Sequence, residues 1–405
     1  MKKPVYLDYH ATTPCDQRVV DAMLPYFAGE FGNAASRQHA YGWTAEAAVN
    51  RARMIIARAI SGEPASIVFT SGATESNNLA LKGICENAQE SRNEIITSRT
   101  EHSSVLDVCS ALEKRGFTIS FIPVDETGLV DVAALEKLIS PKTVVVSIMA
   151  ANNEIGTIAP LKEIGAVCRK SGVLFHVDAS QAFGKIPIDV NEMSIDLMSV
   201  SAHKMYGPKG IGALFVRTSM RRSQLYPQMH GGSHESGLRA GTLNVPGIVG
   251  FGKAVEVAIA ERETESLRIS ALRDQLQQEL TQIDGAFVNG NGSHRLPGNL
   301  NIGFDRVNAA SLLAVVKNEI AISTGSACSS PDAAAGLASH VLQAVGLSKQ
   351  AALSCIRLSI GRYTTQDEIG TAARCLHSAV ETLRQQSAQG ISFSPPSIIK
   401  ISQPV

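Results

Sequence analysis

The 405-residue chain lacks most of the features that mark a special environment. It carries no charge surplus: Lys+Arg 37 against Asp+Glu 37 leave no electrostatic footprint for nucleic acid or an anionic membrane. Small, locally recognised substrates fit such a surface better. No apolar run approaches the roughly 20 residues of a membrane-spanning helix. The opening MKKPVYLDYHATTP meets Pro, Asp and His before any apolar stretch of a leader, so a cytoplasmic protein is expected. The seven cysteines (15, 85, 109, 168, 328, 355 and 375) are odd in number, widely spaced and form no CxxC. Neither a disulfide framework nor a thiolate zinc site is expected from them. Internal repeats are absent as well.

What is present is a core-forming composition, hydrophobic residues at 44% and charged residues at 18%, with enough length for two or three lobes. From about residue 65 to 216, short β-rich runs alternate with helix-like segments: SIVFT, NEIITS, FTISFIPV, TVVVSIMAA, VLFHVDA, IDLMSVSA and GALFV. This alternation predicts an α/β domain with a mixed, mainly parallel sheet buried on both faces. Ligands of such sheets bind beyond the carboxyl ends of the strands. That rule collects Thr70–Thr74, His102, Asn152, Asn153, Asp178, His203 and Lys204 before any chemistry is considered. The stretch from Lys253 to Asp284 has neither Gly nor Pro and repeats Val257, Leu267, Leu272, Leu276 and Leu280 at helical spacings, which predicts a long helix leaving that domain. NLNIGF, IAISTGSAC and SCIRLSIG then predict a smaller α+β domain completed by the N-terminal segment. The expected organisation is residues 15–260 for the large domain, 1–14 with 261–385 for the small one, and a flexible tail over 386–405.

Three strand ends carry the chemistry. IVFTSGATESNNLALKG passes through Ser71, Gly72, Ala73 and Thr74 into a helix, and such a turn offers N–H groups and a positive dipole end to a phosphate. It is neither a Walker A loop nor GxGxxG, and taken alone an ordinary hydroxyl N-cap is the simpler reading. In FHVDASQAFG, Asp178 ends an apolar strand, where a carboxylate needs a cation such as a protonated pyridine nitrogen, or else acts as an N-cap. In SVSAHKMYGPKGIG, Lys204 follows an apolar run directly. An anion cradle, a partner for a ring nitrogen and a strand-end amine together are what pyridoxal 5′-phosphate requires. His102 in TEHSS belongs to the same row and is placed to stack on a ring and move protons, although single histidines often only cap helices. Asn153 offers an amide to cofactor or substrate. Cys328 sits in the small-residue run ISTGSACSS, which suits an accessible thiol. Arg357 offers a donor fork to a carboxylate, and equally suits a structural ion pair.

These stretches, with YLDYHATTP, FGNAAS, NNEIGT, GGSHESGLRAGTLNVPGIVGFG and STGSACSS, resemble in order and spacing the housekeeping cysteine desulfurases of iron–sulfur cluster assembly. The likeness runs from about residue 4 to 385. It implies the aspartate-aminotransferase-like fold (fold type I), a homodimer, and a pyridoxal-phosphate enzyme that converts L-cysteine to L-alanine while holding the sulfur on its own cysteine. By position, Lys204 resembles the lysine that bonds the cofactor, Asp178 the pyridinium partner and Gln181 the donor to the ring hydroxyl. Ala73, Thr74, Ser201 and His203 resemble the phosphate cradle, which Thr242 of RAGT completes from the other subunit. His102 is similar to the stacking acid/base, Asn153 and Arg357 to the carboxylate clamp, and Cys328 to the persulfide carrier of the long-loop branch. The implied partners are L-cysteine and a sulfur acceptor or iron–sulfur scaffold protein. The segment after about residue 386 does not resemble the extended end by which many relatives meet their scaffold.

Other readings compete. Another pyridoxal-phosphate lyase or aminotransferase, acting on selenocysteine or cystine for example, would make Cys328 incidental. A metal-dependent hydrolase built on His230, His234 and Glu235 of HGGSHE lacks both the HExxH spacing and an evident third ligand. A silent sulfur-pathway binding protein would have no use for the full lysine, aspartate and phosphate set.

Overall fold

The computed structural model describes residues 3–89, 91–220, 225–324 and 338–389. Strands are numbered along the chain: β1 (Val5–Tyr6), β2 (Ile67–Thr70), β3 (Glu94–Ser98), β4 (Thr118–Ile122), β5 (Thr143–Ser147) and β6 (Leu174–Asp178). They continue with β7 (Leu197–Ser201), β8 (Gly212–Val216), β9 (Ala286–Asn289), β10 (Asn299–Phe304), β11 (Ile320–Ala321) and β12 (Cys355–Ser359). By contacts the chain divides into two units. The larger comprises Thr12–Asn152 and Thr157–Glu265; the other comprises residues up to Ala11, Asn153–Gly156, and Ser266 onward.

The larger unit is built on a seven-stranded sheet in the order β2-β8-β7-β6-β5-β3-β4. β8 runs antiparallel to both of its neighbours, and the remaining pairings are parallel. Each of the seven β-rich runs named above contains one of its strands. β5, β7 and β8 are buried at every position, as strands covered on both faces must be. Helices Ala73–Glu86 and Ser103–Glu113 bury Leu79, Ile84, Val105 and Leu112 in one apolar cluster with Val145, Leu197 and Leu214. Burying a side chain of that size contributes about 1.5–3 kcal/mol, so this layer fixes the strands whose ends carry the site.

In the second unit, β12-β10-β9 form an antiparallel sheet and β1 pairs with β11 in parallel. Helix Gln366–Ala388 packs Ile369, Leu376 and Val380 into a core with Leu300, Ile302 and Ile356. It opens with a full capping box between Thr365 and Glu368, and it continues past residue 385, where the tail was expected to start. Residues 390–405 lie outside the described residues. The segment Asn153–Gly156, read as part of the large domain from sequence, groups with this unit. Asn299 Nδ2 donates to Glu154 O at 3.0 Å, and Leu296 N donates to Gly156 O at 2.9 Å.

The long helix was expected from Lys253 to Asp284, yet it spans Val245–Leu280. Pro246 sits in its first turn, where a missing N–H costs nothing. Gly252 is required by close approach: a Cβ there would lie 2.8 Å from the Ala52 Cβ. Counting glycine and proline as breakers therefore shortened the helix at its start. Among the described residues, no helix is long and apolar enough to cross a membrane.

Candidate active site

Beyond the carboxyl end of β2 the chain makes the turn that opens helix Ala73–Glu86. The cap residue, Gly72, has φ 155° and no side chain caps the helix. The hydroxyl-cap reading therefore fails here. Thr70 Oγ1 turns inward, donating to Gly72 O at 3.1 Å and bonding Ser76 Oγ at 2.8 Å. Glu75 Oε2 accepts from Ser71 N at 2.7 Å, and its other oxygen pairs with Arg239 at 2.9 Å. The first N–H groups, those of Ala73 and Thr74, thus open the helix with no side-chain acceptor, which suits an anion. Gly212 on β8 brings backbone against this turn: a Cβ there would lie 2.4 Å from Val200 O and 2.7 Å from Gly72 Cα. A Cβ at Gly72 would lie 4.0 Å from Ser201 Oγ, so that hydroxyl is close to the turn.

Asp178 ends β6 and is 4% exposed. Its Oδ1 accepts from the Ser180 N–H at 2.9 Å and from the Ser180 hydroxyl, and its Oδ2 accepts from Asn77 Nδ2 at 2.8 Å. Asn77 also donates to Ser104 Oγ at 2.8 Å, and Ser104 contacts His102 Nδ1 through its hydroxyl at 2.9 Å and its N–H at 3.1 Å. His102 is thereby the cap of helix Ser103–Glu113. Beneath Asp178, two residues back on the same face of β6, His176 bonds Ser147 at 2.8 Å and Ser199 at 3.1 Å. Burial pushes His176 down to about 4, against the pull of Asp178, so it stays neutral. Glu101 accepts from Met149 N at 2.8 Å, and burial holds its carboxyl well above the usual range.

β7 ends at Ser201 and continues into the tight turn Ala202–Lys204. Thr13 anchors the turn, donating to His203 O from both its N–H and its hydroxyl at 3.0 Å and accepting from Tyr206 N at 2.8 Å. Tyr206 is held at φ 65°, a backbone strain of the kind that collects at functional turns. Lys204 is half-buried on this clamped segment. His203 bonds Thr12 Oγ1 at 3.1 Å; burial first, then Lys204, Lys209 and Lys185, push it down to about 4. Gln181 is buried, with its Oε1 accepting from Lys185 Nζ at 3.1 Å.

The sheet therefore gathers Ala73, Thr74, His102, Asp178, Gln181, Ser201, His203 and Lys204 in one unit, at or just beyond strand ends. Asn77, Ser104, Ser180 and Thr13 escaped the sequence reading. Their signal was present inside ESNN, TEHSS, VDAS and HATT, but short polar residues at turns and helix starts look like ordinary caps. Asn153 and Arg357 lie together in the second unit. Arg357 is fully buried, donates to Asn153 O at 3.0 Å and pairs with Asp8 at 2.8 Å. Thr242 is exposed, next to Gly241 at φ 107°. Cys328 lies outside the described residues.

The strand-end residues fit pyridoxal phosphate: an uncapped helix end for the phosphate, a buried carboxylate for the ring nitrogen and an amine on a rigid turn for the aldehyde. The metal reading finds a different use for its residues. Both Glu235 oxygens engage Arg53, at 2.6 and 2.8 Å, and one also accepts from Phe69 N at 2.8 Å. His230 stacks edge-on against Tyr226. Among the described residues, no group of three His, Cys, Asp or Glu is arranged to hold a metal ion. A cavity of about 870 Å³ lies over this edge of the sheet beside Arg53, His234 and Glu235, and none of the strand-end residues above lines it.

Comparison with known proteins identifies the family. The family "Aminotransferase class-V" matches residues 5–371. A protein of Anaeromyxobacter dehalogenans (strain 2CP-C) named cysteine desulfurase IscS is 50% identical over 388 residues, 96% of this chain and 95% of its own length. A NifS-like protein of known structure superposes with a TM-score of 0.86 at 36% identity, covering 94% of this chain and 100% of the other. SspA, solved in complex with cysteine, gives 0.78 at 38% identity over 90% of this chain and 100% of its own. The chain therefore belongs to the class-V aminotransferase family, and within it to the pyridoxal-phosphate-dependent cysteine desulfurases.

Proposed function

We propose that this desulfurase takes the sulfur of L-cysteine onto Cys328 as a persulfide, releases L-alanine and passes the sulfur to an acceptor protein of iron–sulfur cluster or other sulfur-cofactor synthesis. The observation that carries the reading is the sharing of one sheet's strand ends by an uncapped helix start, buried Asp178 and clamped Lys204. The neighbour solved with cysteine supports the choice of substrate.

When bound, pyridoxal phosphate supplies an aldehyde that bonds amines and a conjugated ring that accepts the electron pair left by a departing Cα proton. The Ala73 and Thr74 N–H groups hold its phosphate at the positive end of their helix, with Ser201 and neutral His203 as further hydrogen-bonding groups. The Asp178 carboxylate keeps the proton on the ring nitrogen. Lys185 on Gln181 Oε1 orients that amide so that Nε2 is its donor end toward the ring hydroxyl. Lys204 Nζ takes the Cα proton, and His102 exchanges a proton with the substrate. Asn153 and Arg357 take the substrate carboxylate. Cys328 forms an S–S bond with the substrate sulfur as its C–S bond breaks; enzyme thiol and cysteine give enzyme persulfide and alanine, with no other reactant.

Adding L-cysteine to the purified holoenzyme is expected to release alanine and, with excess reducing thiol, an equal amount of sulfide. Turnover of selenocysteine or cystine with no alanine from L-cysteine would favour the other lyase reading instead.

The enzyme works as a homodimer in which exposed Thr242 of one copy completes the phosphate site of the other. Thr242→Ala is expected to weaken cofactor binding by about tenfold, the worth of one hydrogen bond to a charged group. Full cofactor content and full activity in a sedimenting monomer would exclude the shared site.

A further inference from the structure

We infer that Ser104 is a positioning residue that holds His102 as the tautomer with its proton on Nε2. The inference rests on the assignment of His102 as a proton-exchanging group. It starts from an atom whose role has no ambiguity: the Ser104 backbone N–H, 3.1 Å from His102 Nδ1, can only donate. Nδ1 therefore presents its lone pair, and the proton of the neutral ring sits on Nε2. The Ser104 hydroxyl lies 2.9 Å from the same nitrogen, so it donates as well.

The far end of the chain fixes the same polarity. A carboxylate only accepts, so the Asn77 atom 2.8 Å from Asp178 Oδ2 is the amide nitrogen. That nitrogen has two hydrogens; the second goes to Ser104 Oγ at 2.8 Å. Having accepted from Asn77, the Ser104 hydroxyl has its own proton to give to His102. Direction thus runs outward from Asn77, to Asp178 on one side and through Ser104 to His102 on the other. Asn77 and Ser104 are both buried, so water does not compete for these bonds.

The consequence is that His102 moves protons through Nε2 alone. A proton arriving at Nδ1 has to displace two donors, both from Ser104. The amide of Asn77 has no hydrogen to spare, so the chain orients His102 and passes no proton to Asp178.

The experiment uses holoenzyme labelled with ¹⁵N-histidine. The ring signals of His102 are identified among the ten histidines by their loss in His102→Gln. The wild type is expected to show a protonated Nε2 and an unprotonated, hydrogen-bonded Nδ1; a protonated Nδ1 overturns the inference. In Ser104→Ala, the His102 Nδ1 signal is expected to move toward that of a less hydrogen-bonded nitrogen. Its kcat for L-cysteine is expected to fall about three- to tenfold with KM unchanged, the worth of one hydrogen bond. Ser104→Thr, which keeps the hydroxyl, is expected to restore both, and equal cofactor absorbance in all variants checks that they fold. Wild-type kcat and an unmoved Nδ1 signal in Ser104→Ala would also overturn it. If His102→Gln keeps wild-type turnover, the proton-exchange assignment falls, whereas the ring signals still decide the tautomer.

Discussion

Lys204→Ala is expected to lower the release of alanine from L-cysteine by on the order of 10⁴-fold, the upper range for losing a positioned acid or base. The same change is expected to turn the visible absorbance of the purified enzyme into that of free cofactor, which dialysis then removes. In the proposed mechanism one amine does two jobs, bonding the cofactor and taking the Cα proton, so both losses are expected together. The backbone around it is prepared for precision: Thr13 binds the carbonyl just before Lys204 twice, and Tyr206 is held at φ 65° two residues after it. Lys204→Arg separates charge from chemistry. A guanidinium keeps the positive charge but neither bonds an aldehyde as an amine does nor gives up its proton near neutral pH. It is expected to be as inactive as the alanine variant. Bound-cofactor absorbance unchanged in either variant, or turnover within tenfold of wild type, would place the amine elsewhere.

Cys328→Ser is expected to keep the cofactor absorbance and its response to L-cysteine while reducing alanine release and persulfide labelling to background. The other six cysteines explain why none should substitute. Burial pushes Cys85, Cys109 and Cys168 up to about 12 and Cys355 up to about 11. Cys15 and Cys375 are raised by burial too. The sulfur-accepting species is the thiolate. Against an ordinary thiol near 8.5, a thiol at 12 holds about 10³-fold less thiolate at neutral pH. The four buried cysteines, Cys85, Cys109, Cys168 and Cys355, are thus poor acceptors through the same burial that makes them good core residues. A persulfide mapped by mass spectrometry to any of these six, or wild-type alanine release by Cys328→Ser, would overturn the assignment.

Much of this enzyme was legible one segment at a time. β-branched runs such as TVVVS and IVFT suit strands buried on both faces of a mixed, mainly parallel sheet, and the residue after each run then lies at a strand end. That local logic was enough to bring Ala73, Asp178 and Lys204 together. It was enough, too, to set a phosphate reading beside the cap reading at this turn, where the structure shows no capping side chain. Breaker counting failed at the start of helix Val245–Leu280, because Gly252 is there for close packing against Ala52 and not to end a helix.

Only the tertiary structure decided which polar groups meet. Asn77 and Asp178 are 101 positions apart, Arg53 and Glu235 are 182 apart, and Asp8 and Arg357 are 349 apart. No periodicity in a chain encodes such pairs, since they arise where separate elements pack and a buried charge or amide takes the nearest complementary atom. Sequence alone therefore determined the sheet, its strand ends and the residue types that wait there. Packing decided that Glu235 serves Arg53 rather than a metal, that Arg357 is paired with Asp8, and that Ser104 stands between Asn77 and His102, because hydrogen-bond direction is set by which donor lies within reach of which lone pair.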